Sequence, residues 1–165
     1  MNKSESVSKI ALFVEQDIDK VIIDTLTEKM LSPAVSFNLF CMGMGAAAFY
    51  SADMMALKLL EKDYQHFFLL FDINKTEESE VTRIVNILTR PMKESNLLEY
   101  VTFCPIVPNI NAWLSGYYTL PKKEFGQEFD LPKIKEVVSQ IDLNGLKQNN
   151  ASFNQFAQVL HEWTK

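Results

Sequence analysis

At 165 residues the chain fits one domain of ordinary size, long enough to bury a continuous core without disulfides or a structural metal. Hydrophobic residues make up 47% and charged residues 22%, which argues against disorder along most of the chain, and a formal net charge of −5 argues against binding nucleic acid by broad phosphate neutralisation. Cys41 and Cys104 both lie in apolar runs with no Cys-x-x-Cys or Cys/His cluster, so zinc and disulfide frameworks are disfavoured and two buried free thiols are expected.

Met1 to Ser8 is polar, lacks a signal-peptide core and reads as a flexible N-terminus. No apolar stretch approaches the roughly 18 residues of a membrane span, so the expected location is cytoplasmic, with no membrane partner. Lys9 to Val14 is a short apolar run bounded by polar residues, as in a parallel strand covered on both faces. Asp17 can cap a helix from Ile18 to Leu31, in which Ile18, Val21, Ile22, Leu26 and Met30 fall near a 3.6-residue repeat, and Ser32-Pro33 stops it.

Val35 to Met42 predicts the second strand, and Gly43-Met44-Gly45 turns into Ala46 to Lys62, a strongly apolar helix expected to be largely buried. His66 to Phe71 is the third strand and Glu78 to Leu97 the third helix, with Val81, Ile84, Val85 and Leu88 inward and Pro91 expected to kink or split it. Val101 to Cys104 gives a fourth strand closed by Pro105 and Pro108, and Ile110 to Tyr118 can start another helix. Strands alternating with helices predict an α/β, Rossmann-like, mostly parallel sheet with helices on both faces over residues 9–118.

Residues 119–165 read as a helical C-terminal extension of the same domain. It comprises a polar stretch to Asp130 with Pro121 and Gly126, a helix from Leu131 to Ile141, a loop from Asn144 to Ala151, and a last helix from Ser152 to Trp163 that Asn150 or Ser152 can cap. The Lys122-Lys123 pair and the Arg83, Arg90 and Lys93 group read as solvated surface.

Three apolar runs end at polar or glycine residues: the first at Glu15, the second at Gly43-Met44-Gly45, the third at Asp72-Ile73-Asn74. In an open α/β sheet such endings line one crevice outside the carboxyl ends of the strands, where ligands bind. A carboxylate after one strand and an Asp-x-Asp pair after another suit Mg²⁺, a hard cation held by a few oxygens; with Asn as the third residue, Glu15, Asp72 and Asn74 are the expected metal ligands, with one negative charge fewer and so weaker binding. The plain alternative is that acids after strands cap helices or solvate loops.

These residues, with Leu12-Phe13-Val14-Glu15 followed by Asp17 and Asp19, and Pro108-Asn109-Ile110-Asn111-Ala112-Trp113-Leu114 after the fourth strand, resemble the Toprim (topoisomerase–primase) family. The likeness is to its small stand-alone form, related to overcoming-lysogenization-defect nucleases, and spans roughly residues 9–118; the ending Asn150-Ala151-Ser152-Phe153 is also similar to these members. The resemblance implies metal-dependent phosphodiester cleavage, often beside an ATPase partner in phage defence. It implies Glu15 as metal ligand or general base and Asp72 as metal ligand, with Asn74, Asp17, Asp19 and Gly43 auxiliary. Asn74 stands where the family has a second Asp, and Asn111 where its relatives place a Glu; each replaces an anionic oxygen by a neutral amide, which implies weakened or lost catalysis. Nucleic acid would then be reached through the metal, and self-association is a further expectation.

A phosphoryl-accepting receiver domain is the nearest alternative, with Asp72 as acceptor, but no Ser/Thr-then-Lys-Pro succession follows the fourth strand. A nucleotide site at Gly43-Met44-Gly45 lacks both a third glycine and a Lys-Ser/Thr pair. The non-catalytic alternative is an interaction module using Trp113, Tyr117, Tyr118, Phe125 and Phe129, although aromatics of this size more often anchor a tail to a sheet. His66 and His161 have no Cys or Ser partner in sequence and read as structural or surface residues, and no Gly-x-Ser-x-Gly elbow is present.

Overall fold

The computed structural model describes residues 7–120 and 128–163. Most of the expected flexible N-terminus (1–6), and Pro121, Lys122, Lys123, Phe125 and Gly126, lie outside the described residues.

Four strands, β1 (Ser8–Val14), β2 (Val35–Cys41), β3 (His66–Asp72) and β4 (Val101–Ile106), form one sheet in the order β2-β1-β3-β4. Every pairing is parallel, so the fold is α/β and Rossmann-like. β1 and β3 are central and buried on both faces, which is why they read as unbroken apolar runs rather than alternating ones. Their side chains alternate between two cores. Ile10, Leu12, Val14, Phe68 and Leu70 meet α1 (Asp17–Met30) and the tail helices; Ala11, Phe13, Phe67, Leu69 and Phe71 meet α2 (Ala52–Leu60) and α3 (Glu78–Glu94). This division is what right-handed crossovers require when β1 connects toward one edge and β2 and β3 connect toward the other.

β4 runs through Pro105 rather than stopping at Cys104. Ile73 N–H donates to the Ile106 carbonyl, so even-numbered residues of β4 face β3 and the N–H that Pro105 lacks would point off the open edge, where a strand tolerates proline. Pro91 does not split α3, which continues through it and ends one turn later at Glu94.

The segment after Gly45 departs further from expectation. Ala46–Ser51 is a 3-10 turn and only Ala52–Leu60 is α-helical. Phe49, Ala52, Ala56 and Leu59 form the inward stripe, whereas Tyr50 (49% exposed), Met54 (63%) and Leu57 (45%) face outward, as does Met44 (78%) in the turn before it, so the segment is not largely buried. It has one apolar face too many for the single surface it covers. Cys104 is buried as expected, but Cys41 is exposed because it ends the edge strand β2.

The helix expected from Ile110 is a single turn, α4 (Ile110–Trp113), after which Gly116 takes φ +89°. The tail contains α5 (Leu131–Ser139), α6 (Leu143–Asn149) and α7 (Ala151–Glu162), so the loop expected over Asn144 to Ala151 is a helix. Glycine and asparagines lower its propensity, but the Asp142 side chain accepts from the Asn144 and Gly145 N–H groups and Leu146 is fully buried. Gly145 also makes room for a neighbour: a Cβ there would sit 2.4 Å from the Tyr117 hydroxyl. Among the described residues no helix is long and apolar enough to cross a membrane.

Candidate metal centre at the carboxyl edge

β1 and β3 are adjacent, and the connections leaving them run to opposite sides of the sheet. A crevice opens at such a switch point, beyond the carboxyl ends of the two strands. Glu15 follows β1 directly and is 7% exposed. Its Oε1 accepts the Gly45 N–H at 2.6 Å and its Oε2 the Asp72 N–H at 3.1 Å, so one carboxylate links the ends of β1 and β3 to the glycine turn after β2. Asp72, the last residue of β3, accepts the Ile110 N–H on Oδ1 at 3.1 Å.

A third carboxylate joins them. Asp19 lies in the first turn of α1, is 5% exposed, and accepts the Gln16 N–H on Oδ2 at 3.0 Å. Glu15, Asp19 and Asp72 each offer an oxygen, and these oxygens lie within 4.8 Å of one another. Asn74, expected as a ligand, lies two residues beyond β3, is exposed, has φ +62°, and donates its backbone N–H to the Pro108 carbonyl at 2.6 Å. Asn111 is exposed on α4 and its Oδ1 accepts the Leu120 N–H at 3.3 Å. Gly43, at φ +120°, donates its N–H to the Glu15 carbonyl, and Asp17 accepts from the Cys41 thiol at 3.6 Å.

Burial and mutual repulsion set the electrostatics. Desolvation pushes the Asp72 carboxyl up to about 8, helped by the charges of Glu15 and Asp19 and opposed by the Ile110 N–H. Desolvation lifts Asp19 to about 6, with the Gln16 N–H opposing and Glu15 adding to it. Glu15 is also raised by burial, against the N–H groups of Asp72 and Gly45. The three ion pairs among the described residues all belong to Lys75 or α3 and leave these acids without a basic partner. A cavity of about 590 Å³ opens beside the cluster, lined by Glu15, Gln16, Asp17, Cys41 and Gly43 with Phe129 from the tail.

The donor set suits a divalent cation of the Mg²⁺ or Mn²⁺ type: hard oxygens, close enough to share one ion, whose mutual repulsion only a cation or a proton relieves. No family model matches the chain, and no curated protein matches it.

Sequence reading brought Glu15 and Asp72 forward, and they converge; it ranked Asp19 as auxiliary, whereas the turn from β1 into α1 carries it into the same cluster. It singled out the Gly43-Met44-Gly45 turn but not the part played by the Gly45 N–H, nor that of the Ile110 N–H, because a backbone N–H leaves no mark in residue type. The glycine turn supplied the one usable signal. Its Gly45 N–H is engaged by Glu15, which accounts for the turn without a nucleotide phosphate. Trp113 is fully buried and packs against Phe153 and Phe156, as an anchor of the tail rather than an exposed contact. His66 is buried against Thr102 Oγ1 and the Trp163 ring, a structural position.

Proposed function

We propose that the chain is a Toprim-like protein whose acidic edge binds a divalent cation of the Mg²⁺ type and acts on phosphodiesters, with activity weakened relative to fully acidic members of that family. The observation that carries this reading is the convergence of carboxylate oxygens from Glu15, Asp19 and Asp72 within 4.8 Å of one another, beside a cavity that Glu15 lines, with no basic partner among the described residues. Glu15 and Asp72 would be the principal ligands, and Asp19 contributes the third anionic oxygen where Asn74 offers only a neutral amide. A bound cation would polarise a phosphoryl oxygen and acidify a water. The chain's own residues hold the carboxylates in place through the N–H groups of Gly45, Asp72, Gln16 and Ile110. Because the net charge is −5, the route to nucleic acid is through the metal or a basic partner rather than through a broad cationic surface. The same reading makes an ATPase the partner to seek and phage defence the setting.

Incubation with single- and double-stranded DNA in Mg²⁺ or Mn²⁺ tests the reading: cleavage that EDTA and Asp72→Ala both abolish supports it, and cleavage that survives Asp72→Ala removes it. If neither cleavage nor a metal response is found, the interaction reading takes its place. Met44, Tyr50, Met54 and Leu57 favour that second reading, because they leave an apolar group of side chains exposed near the glycine turn and along α2.

A further inference from the structure

One hydroxyl on the C-terminal helices makes two hydrogen bonds to the segment that follows β4. Ser152, in the first turn of α7, accepts the Trp113 Nε1–H at 2.8 Å and the Val107 N–H at 3.2 Å. These donors stand at the two ends of the segment from Val107 to Trp113, so a single oxygen, with its two lone pairs used, pins both ends. Asn150 adds a second tie, donating from Nδ2 to the Ala112 carbonyl at 3.2 Å. Trp113 itself is fully buried, 5.1 Å from the Phe153 ring and 5.9 Å from the Phe156 ring, both on α7.

The pinned segment is the one that holds Asp72. Ile110, at its middle, donates the N–H that Asp72 Oδ1 accepts, and the Pro108 carbonyl accepts the Asn74 N–H at 2.6 Å. Asp72 lies at the end of β3, and the chain beyond it is bonded first to Ile106, the last residue of β4, and then to Pro108 in this segment. The rotation of the Asp72 carboxylate therefore depends on where the tail puts residues 107–113. We propose that Ser152 is a positioning residue for the metal site: through Val107 and Trp113 it fixes Ile110 and hence the Asp72 carboxylate, so that the helical tail sets the affinity of the acidic edge for its cation. This rests on the metal reading above and adds to it a dependence on a residue in a different part of the chain.

The expected effect follows from what outer partners of metal ligands do: their loss costs about 10- to 100-fold in affinity. Ser152 acts one bond further out, so the lower end, about tenfold, is expected for Ser152→Ala. Mn²⁺ affinity is read from the free-ion electron paramagnetic resonance signal at 20 °C, with melting temperature followed in parallel. Ser152→Thr keeps an acceptor oxygen and is expected to restore near-wild-type affinity. Leu88→Ala, in the core on the opposite face of the sheet, is expected to lower the melting temperature without changing Mn²⁺ affinity. Should Ser152→Ala fail to fold, Trp113→Phe decides, since it removes the indole donor and keeps a ring; about tenfold weaker binding is again expected. Unchanged Mn²⁺ affinity in folded Ser152→Ala, or in Trp113→Phe, overturns the positioning role while leaving the metal site standing. Absence of Mn²⁺ binding by the wild-type chain overturns the metal reading itself, and the positioning role with it.

Discussion

Neutralising Asp72 should make the metal-free protein more stable at neutral pH, by an amount that grows as pH rises. Burial, then repulsion from Glu15 and Asp19, lifts this carboxyl from 3.8 to about 8. An acid whose pKa is raised on folding holds its proton in the native state and loses it in the unfolded one. Its contribution is therefore fully present below the unfolded value and is lost as pH rises through the folded value. Between pH 5 and pH 7 folding takes up close to one proton at this site, and at about 1.36 kcal/mol per pH unit the loss is about 2.7 kcal/mol. For a chain of this size that corresponds to a urea midpoint shift on the order of 1 M. Urea titrations in EDTA at pH 5, 6 and 7, on wild type and Asp72→Asn, measure it. The difference between the two proteins cancels titrating groups remote from the cluster, Glu15 and Asp19 titrate together with Asp72 and are read as part of its effect, and Asp72→Asn should gain on wild type at each step. A difference that stays constant from pH 5 to pH 7 would refute the reasoning. Added Mn²⁺ should reverse the trend for wild type alone, because a cation favours the ionised carboxylates.

Gly45→Ala should cost about 1–3 kcal/mol in urea unfolding, for conformational reasons alone, since φ +83° with ψ 159° is backbone that essentially only glycine adopts and a Cβ there would meet nothing within 4 Å; an unchanged midpoint would contradict it. Trp113→Ala should cost about 3–5 kcal/mol, because the ring is fully buried between α7 aromatics and its indole N–H is bonded to Ser152; a loss under 1 kcal/mol would show that the tail docks without it. Burial holds His66 at about 4, so its imidazole should stay neutral at pH 5.5 in a nuclear magnetic resonance titration, and stability should fall as pH drops from 6.5 toward 4. A midpoint near 6.5 would place the ring in water.

The alternation of apolar runs with amphipathic segments was enough to read the parallel α/β sheet, because β1 and β3 are buried on both faces and leave no polar side to disguise them. The same logic located Glu15 and Asp72, since a parallel sheet puts every strand end on one edge. It failed where tertiary contacts outweigh local composition. Leu146 and the Asp142 cap make a helix of a glycine- and asparagine-bearing stretch, and the outer face of α2 stays exposed although its residues are apolar. Asp19 was legible as an acid at a helix start; its place in the cluster was not, because that depends on the angle at which α1 leaves β1. The ties from Ser152 to Val107 and Trp113 span 45 and 39 residues of sequence, a distance over which no periodicity reports.

The central claim is that Glu15, Asp19 and Asp72 form a single cation site. Anomalous diffraction from crystals soaked in Mn²⁺ addresses it most directly. The account predicts a peak within about 2.0–2.6 Å of carboxylate oxygens from Glu15 and Asp72, with Asp19 beside it, and its disappearance in Asp72→Ala. Crystals that take up Mn²⁺ elsewhere, or none at all while these carboxylates stay together, would contradict it.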